Sequence, residues 1–110
     1  MQLSSISNNS FKGKLVIPYL APAKPHSPFI RNYEEKIDVN DIKRITPERI
    51  ELNDSAGGKK FKIYNDNDYI EDDYQTRFDK YHAVLSAYTA AKAAGDSDTE
   101  IEIPRVNLII

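Results

Sequence analysis

The stretch IEDDYQTRFDKYHAVLSAYTAAKAAG, residues 70–95, decides how the rest of the chain is read. Within it Tyr74, Phe78, Tyr81, Leu85 and Tyr88 recur at steps of four, three, four and three. That repeat lays side chains along one face of an α-helix. Val84 widens the apolar stripe, while Asp72, Gln75, Thr76, Asp79, Ala83, Ser86 and Ala90 occupy the opposite face. Either Asp68 with Glu71 or Asp72 with Gln75 has the spacing of an N-terminal capping box. Asp73 and Arg77 form a correctly oriented i,i+4 pair, and the alanines of 90–94 followed by Gly95 mark a helix end. The spacing predicts one long helix within 70–94 whose stripe buries Phe78 and Leu85.

Such a stripe needs a sheet face to cover it, and the flanking sequence reads as strands. Downstream, Ile101 and Ile103 alternate with Glu100 and Glu102; Pro104 interrupts, and Val106, Leu108 and Ile110 resume the alternation. A run this apolar is expected inside a sheet, because an exposed one would invite edge pairing. Upstream, Arg49 to Asn53 and Lys60 to Tyr64 read as a hairpin with Phe61 and Ile63 turned inward. Gly57 and Gly58 supply the positive φ that its reversing loop needs. Residues 40–46 fit either a helical turn or a strand, since Ile42 and Ile45 are three apart yet β-branched. Thr46-Pro47-Glu48 resembles a helix start, but the alternation of Ile50 and Leu52 favours a turn and then a strand.

Further upstream, Tyr33, Ile37 and Val39 share one side of a period-two run, with Glu35 on that same side counting against it. Phe11, Gly13, Leu15, Ile17 and Tyr19 alternate in the same way. Pro18 lacks a ladder donor, which predicts that this strand lies at an edge or ends there. Four of the six prolines fall at Pro18, Pro22, Pro25 and Pro28, so 18–31 reads as an extended, Pro-rich connector. The expected fold is α+β: a small, mostly antiparallel sheet of five to six short strands packed in two layers against one long helix in the C-terminal half. Residues 1–10, with four Ser and two Asn, are expected to be a flexible leader, and 11–110 a single domain.

Composition narrows the function classes. The chain has 110 residues, is 40% hydrophobic and 29% charged, and has a formal net charge of -2. That length suits one domain with a core large enough to need no staples. The absence of Cys removes disulfides, thiolate catalysis and Cys-based metal sites, and it fits either redox compartment. A secretory reading of Lys12 to Ala23 is poor, because Pro18 interrupts a short apolar run. A cytoplasmic chain is favoured over a secreted one. No apolar stretch approaches a membrane span. All 17 acids lie after residue 33, whereas Lys12, Lys14, Lys24 and Arg31 precede them. This balance, without clustered bases, argues against nucleic-acid binding.

No motif fixes a chemistry. The acidic run from Asn65 to Asp73 offers Asp66, Asp68 and Asp72 at calcium-loop places, but Ile70, Glu71 and Arg77 stand where such a loop needs an oxygen ligand, Gly and Glu. Acids also gather before helices because the macrodipole favours them there. His26 and His82 are the only histidines, and neither has a predictable partner for acid–base work. No G-x-S-x-G is present, and Gly57-Gly58-Lys59-Lys60 does not make a phosphate loop. Pro22, Pro25 and Pro28 have the three-residue spacing of a polyproline helix, with Arg31 nearby, and are candidate partner-docking residues. The reading is a non-enzymatic protein-interaction or assembly module, with no cofactor, that works through a sheet edge or the 18–31 segment. The alternative is a small ligand- or metal-binding domain or enzyme using the 65–73 carboxylates and His82.

Overall fold

The computed structural model describes residues 13–22, 24, 29–66 and 69–109. The expected leader lies outside them, as do Pro25, His26, Pro28, Asp68 and Ile110. The chain forms strands β1 (Lys14–Pro22), β2 (Ile30–Asp38), β3 (Ile42–Ile45), β4 (Arg49–Leu52) and β5 (Lys60–Lys62), then helix α1 (Tyr74–Lys92), then β6 (Glu100–Glu102) and β7 (Val106–Leu108). The fold is α+β, with one mostly antiparallel sheet of seven strands among the described residues, more than the five to six expected. The extra strand arises because Pro104 splits the last alternating run into β6 and β7.

The strand order is β2-β1-β7-β5-β4-β3, with β6 also paired to β1. Its two ends, β2 and β3, are consecutive in the chain, separated only by a 3-10 turn at Val39–Asp41. The ambiguous 40–46 segment is therefore part turn and part strand. Asp38 initiates the turn, its carboxylate accepting from the Asn40 N–H at 2.9 Å. For both ends of the order to be one run of chain, the sheet must curl. The curl places Leu15, Ile17, Val39, Ile50, Leu52, Phe61, Ile63 and Val106 in one core.

The β4–β5 hairpin forms as its sequence predicts. Phe61 and Ile63 are fully buried, and Gly57 and Gly58 adopt φ of 96° and 62°. The Thr46 hydroxyl accepts from the N–H groups of Glu48 and Arg49, which closes a turn between β3 and β4 rather than starting a helix.

Pro18 neither ends β1 nor puts it at an edge. β1 runs on to Pro22 and lies between β2 and the β6–β7 pair. The Lys14 N–H donates to the Thr99 carbonyl and the Ile103 N–H donates to the Val16 carbonyl, so even-numbered residues of β1 face the C-terminal segment. β6 pairs with Lys14–Val16 and β7 with Tyr19–Leu20. The missing donor of Pro18 falls in the gap between them, where no ladder bond is required. The Pro-rich connector is correspondingly shorter than 18–31: its first five residues extend β1, and Ile30 and Arg31 begin β2.

Helix α1 lies on the concave side, against β6, β1 and the 3-10 turn, all near the start of β1. Its buried residues are Val84, Ala87 and Ala91, with Tyr81 and Tyr88 partly buried beside them. This corrects the expected face: Phe78 is 46% exposed, Tyr74 82% exposed, and Leu85 only half-buried. At about 100° per residue, the docked face is turned roughly a quarter of a revolution from the aromatic stripe. The cause is a close backbone approach. The Gly13 N–H donates to the Ala91 carbonyl at 3.1 Å, and a Cβ on Gly13 would lie 2.3 Å from that oxygen. Small residues let the helix come this near, and the larger aromatics are turned aside.

The helix cap also differs from the sequence reading. Asp73 is the N-cap, its carboxylate accepting from the Thr76 N–H at 2.7 Å. Arg77 is drawn away from Asp73: its guanidinium lies 3.9 Å from the centre of the Tyr64 ring, and its Nε donates to the Asp72 carbonyl.

Candidate functional site

Strands β1 and β2 form an antiparallel hairpin nine residues long, registered from Lys14 opposite Asp38 to Pro22 opposite Ile30. Even residues of β1 face β6 and β7, so odd residues exchange hydrogen bonds with β2. By the alternation of an antiparallel ladder, Arg31, Tyr33, Glu35 and Ile37 bond to β1. The N–H and C=O groups of Asn32, Glu34 and Lys36 therefore point outward. Among the described residues no strand pairs with this outer edge.

Side chains brace the hairpin on both faces. On the convex face, Lys36 pairs with Glu100 at 3.3 Å, and Arg105 donates to the Asn32 side chain at 3.1 Å. Both contacts cross over β1, which leaves Val16 only 7% exposed although it points away from the core. On the concave face, Tyr33 stacks on Tyr19 with ring centres 5.4 Å apart, and Tyr19 meets Phe61 at 5.2 Å. Glu35, the residue that counted against this strand, is accommodated by an ion pair with Lys59. Burial pushes the Tyr19 hydroxyl above its ordinary pKa, and the Glu35 charge adds to this against the opposing effect of Lys59. The bond to Glu35 raises the pKa of Lys59 in turn.

Of the candidate docking residues, Pro22 is exposed at the end of β1, and Arg31 is exposed on β2 opposite Ala21. Pro25 and Pro28 lie outside the described residues. Ile30, at the same end of the hairpin, is 58% exposed.

Two carboxylates of the acidic run, Asp66 and Asp72, are drawn into ion pairs. Asp66 binds Lys62 at 2.8 Å, and Asp72 binds Lys80 while accepting from the Asn65 N–H. Burial of Asp72 works to raise its pKa, but Lys80, the Asn65 N–H and Arg77 outweigh that, and the carboxyl sits below its ordinary value. Asp73 is also lowered, by its capping bonds to Thr76. Among the described residues no three His, Asp or Glu side chains converge as metal ligands. His82 packs on Phe78, ring centres 4.2 Å apart. Two positions after Lys80, it points roughly 200° around the helix from the side chain that holds Asp72. Among the described residues, the carboxylates and His82 do not converge as a metal site.

Turning the helix creates a feature that its stripe did not predict. Tyr74, Arg77, Phe78 and Tyr81 face Pro47, Glu48 and Tyr64 across an open, largely apolar cleft of about 380 Å³. The repeating aromatics were the sequence signal, but their spacing equally describes a buried face. No family model matches the chain, and no curated protein or solved structure is significantly similar to it. No helix is long and apolar enough to cross a membrane among the described residues.

Proposed function

We propose that the protein is a non-enzymatic interaction module that takes up an extended segment of another polypeptide along the outer edge of β2. The observation that carries this reading is the outward row of backbone groups at Asn32, Glu34 and Lys36 on a hairpin braced from both faces. A partner strand satisfies such groups with main-chain hydrogen bonds, and a rigid edge loses little entropy on binding. Arg31 stands on this edge strand, and Pro22 at the end of the strand it pairs with. The alternative, a ligand- or metal-binding domain or enzyme built on the 65–73 carboxylates and His82, draws less support. Asp66 and Asp72 are already held by lysines, and His82 packs on Phe78.

The test is site-specific photo-crosslinking of the full chain in its native cells. A photoreactive residue at Glu34 should give one dominant polypeptide adduct, and the same probe at Asp79 on the exposed helix face should not. Equal, diffuse labelling from both positions refutes the reading.

A further inference from the structure

We propose that the segment taken up by β2 is β2 of a second copy, paired antiparallel about a two-fold axis at Tyr33. This rests on the edge reading above and names its partner. Outward-facing residues must pair with outward-facing residues, so only registers that match even positions with even positions are allowed. With the axis at Tyr33, Arg31 stands opposite Glu35 of the second copy, and Glu35 opposite its Arg31. Asn32 and Glu34 exchange backbone bonds with Glu34 and Asn32. Ile30, 58% exposed in the single chain, lies opposite Lys36 and loses part of that exposure against the second strand.

Neighbouring registers fail on charge. An axis at Glu34 sets that carboxylate against its own copy, and an axis at Glu35 does the same for Glu35. Like charges directly opposite one another destabilise a ladder, and opposite charges support it. An axis at Asn32 avoids repulsion but sets Glu35 opposite Phe29, outside β2, and shortens the ladder. The Tyr33 register is thus the one in which every charged residue from Arg31 to Lys36 meets an opposite or neutral residue within β2. It also brings the two Tyr33 rings together, each already stacked on its own Tyr19, so the aromatic contact runs across the axis. An isologous contact of this kind closes after two copies.

The chain has no Cys, which permits a direct test of register. Asn32→Cys and Glu34→Cys chains are mixed and oxidised gently, with each alone as control. A hydrogen-bonded antiparallel pair holds its Cα atoms about 5.5 Å apart, within disulfide reach. The expected result is a heterodisulfide between the two variants, with little homodimer from either alone. Predominant Glu34→Cys homodimer would indicate the axis at Glu34 and overturn the proposal.

Sedimentation of the unmodified chain at sub-millimolar concentration should show a dimer. Glu34→Pro removes an outward donor that edge strands can spare, and it should sediment as a folded monomer with an unchanged circular dichroism spectrum. Glu34→Gln, which keeps the donor, should remain dimeric, and Arg31→Glu should weaken dimerisation at least tenfold. A monomeric unmodified chain overturns the second-copy proposal. Crosslinking from Glu34 to a different protein would then leave the edge reading standing, whereas diffuse labelling would remove both.

Discussion

Replacing Gly13 by Ala tests how the helix is seated. The added methyl would lie 2.3 Å from the Ala91 carbonyl oxygen, 2.8 Å from the Ala91 Cα and 2.9 Å from its carbonyl carbon. All three obstructing atoms are backbone, so no rotamer change relieves the contact and α1 must move by about an ångström. Forced overpacking of this kind costs roughly 1–3 kcal/mol. The shift also lengthens the 3.1 Å bond from the Gly13 N–H to Ala91, and a buried donor left unmade costs a further ~1–3 kcal/mol. The expected loss is therefore roughly 2–6 kcal/mol, or a fall in Tm of the order of 10–30 °C for a domain of this size. Gly95 is the control: nothing lies within 4 Å of a Cβ placed there, so Gly95→Ala should be neutral or stabilise by roughly 0.4–1 kcal/mol. Urea titrations followed by circular dichroism give both values. A Gly13→Ala chain within about 0.5 kcal/mol of the parent, the range of an ordinary surface change, would refute the close seating of the helix.

Other consequences are equally open to measurement. Val84 is fully buried and Phe78 half exposed, so Val84→Ala should cost roughly 1–3 kcal/mol, and Phe78→Ala less than that despite losing the larger side chain. The opposite ranking in thermal melts would restore the aromatic stripe as the docked face. Asp72 has a lowered pKa, so its contribution is fully present above the ordinary carboxylate value of 3.8 and disappears as pH falls through the lower folded value. Asp72→Asn should cost roughly 1–3 kcal/mol at neutral pH, with a smaller difference from the parent in strong acid. Lys59 and Tyr19 both have raised values. Their stabilisation is complete below the unfolded pKa values and is lost as pH rises through the folded ones. Glu35→Gln should therefore lessen the fall in stability as pH rises above about 10, and an unchanged slope would exclude the Tyr19–Glu35–Lys59 cluster as its source.

The parts of this fold that were legible in sequence are those fixed by nearby residues. The β4–β5 hairpin is set by two glycines in a loop between short alternating runs. The existence and approximate ends of α1 follow from its spacing and from acids at its start. The rotation of α1 was not legible, because it is decided by Gly13, far away in the chain, through a backbone contact that leaves no apolar pattern. Pro18 was misplaced for a similar reason: the gap that receives it is opened by Pro104. Within the candidate site, Arg31 and Pro22 could be singled out from charge and proline spacing. The outward row at Asn32, Glu34 and Lys36 could not, because which residues face outward depends on the register of β1 with both its neighbours.

The position of β7 has a consequence for the assembly of the chain. β1 with β2 on one side, and β5 with β4 and β3 on the other, are each built from residues close in sequence. The two groups meet through β7, the last element described. Until Val106 to Leu108 insert, β1 and β5 each present an unfilled edge beside the large apolar residues Ile17, Tyr19 and Phe61. A nascent chain halted before Val106 thus resembles two unsealed half-sheets, prone to pairing with other chains. A late, non-local insertion of this kind is slow, and it makes a segment of only three residues the one that governs how long the chain stays vulnerable.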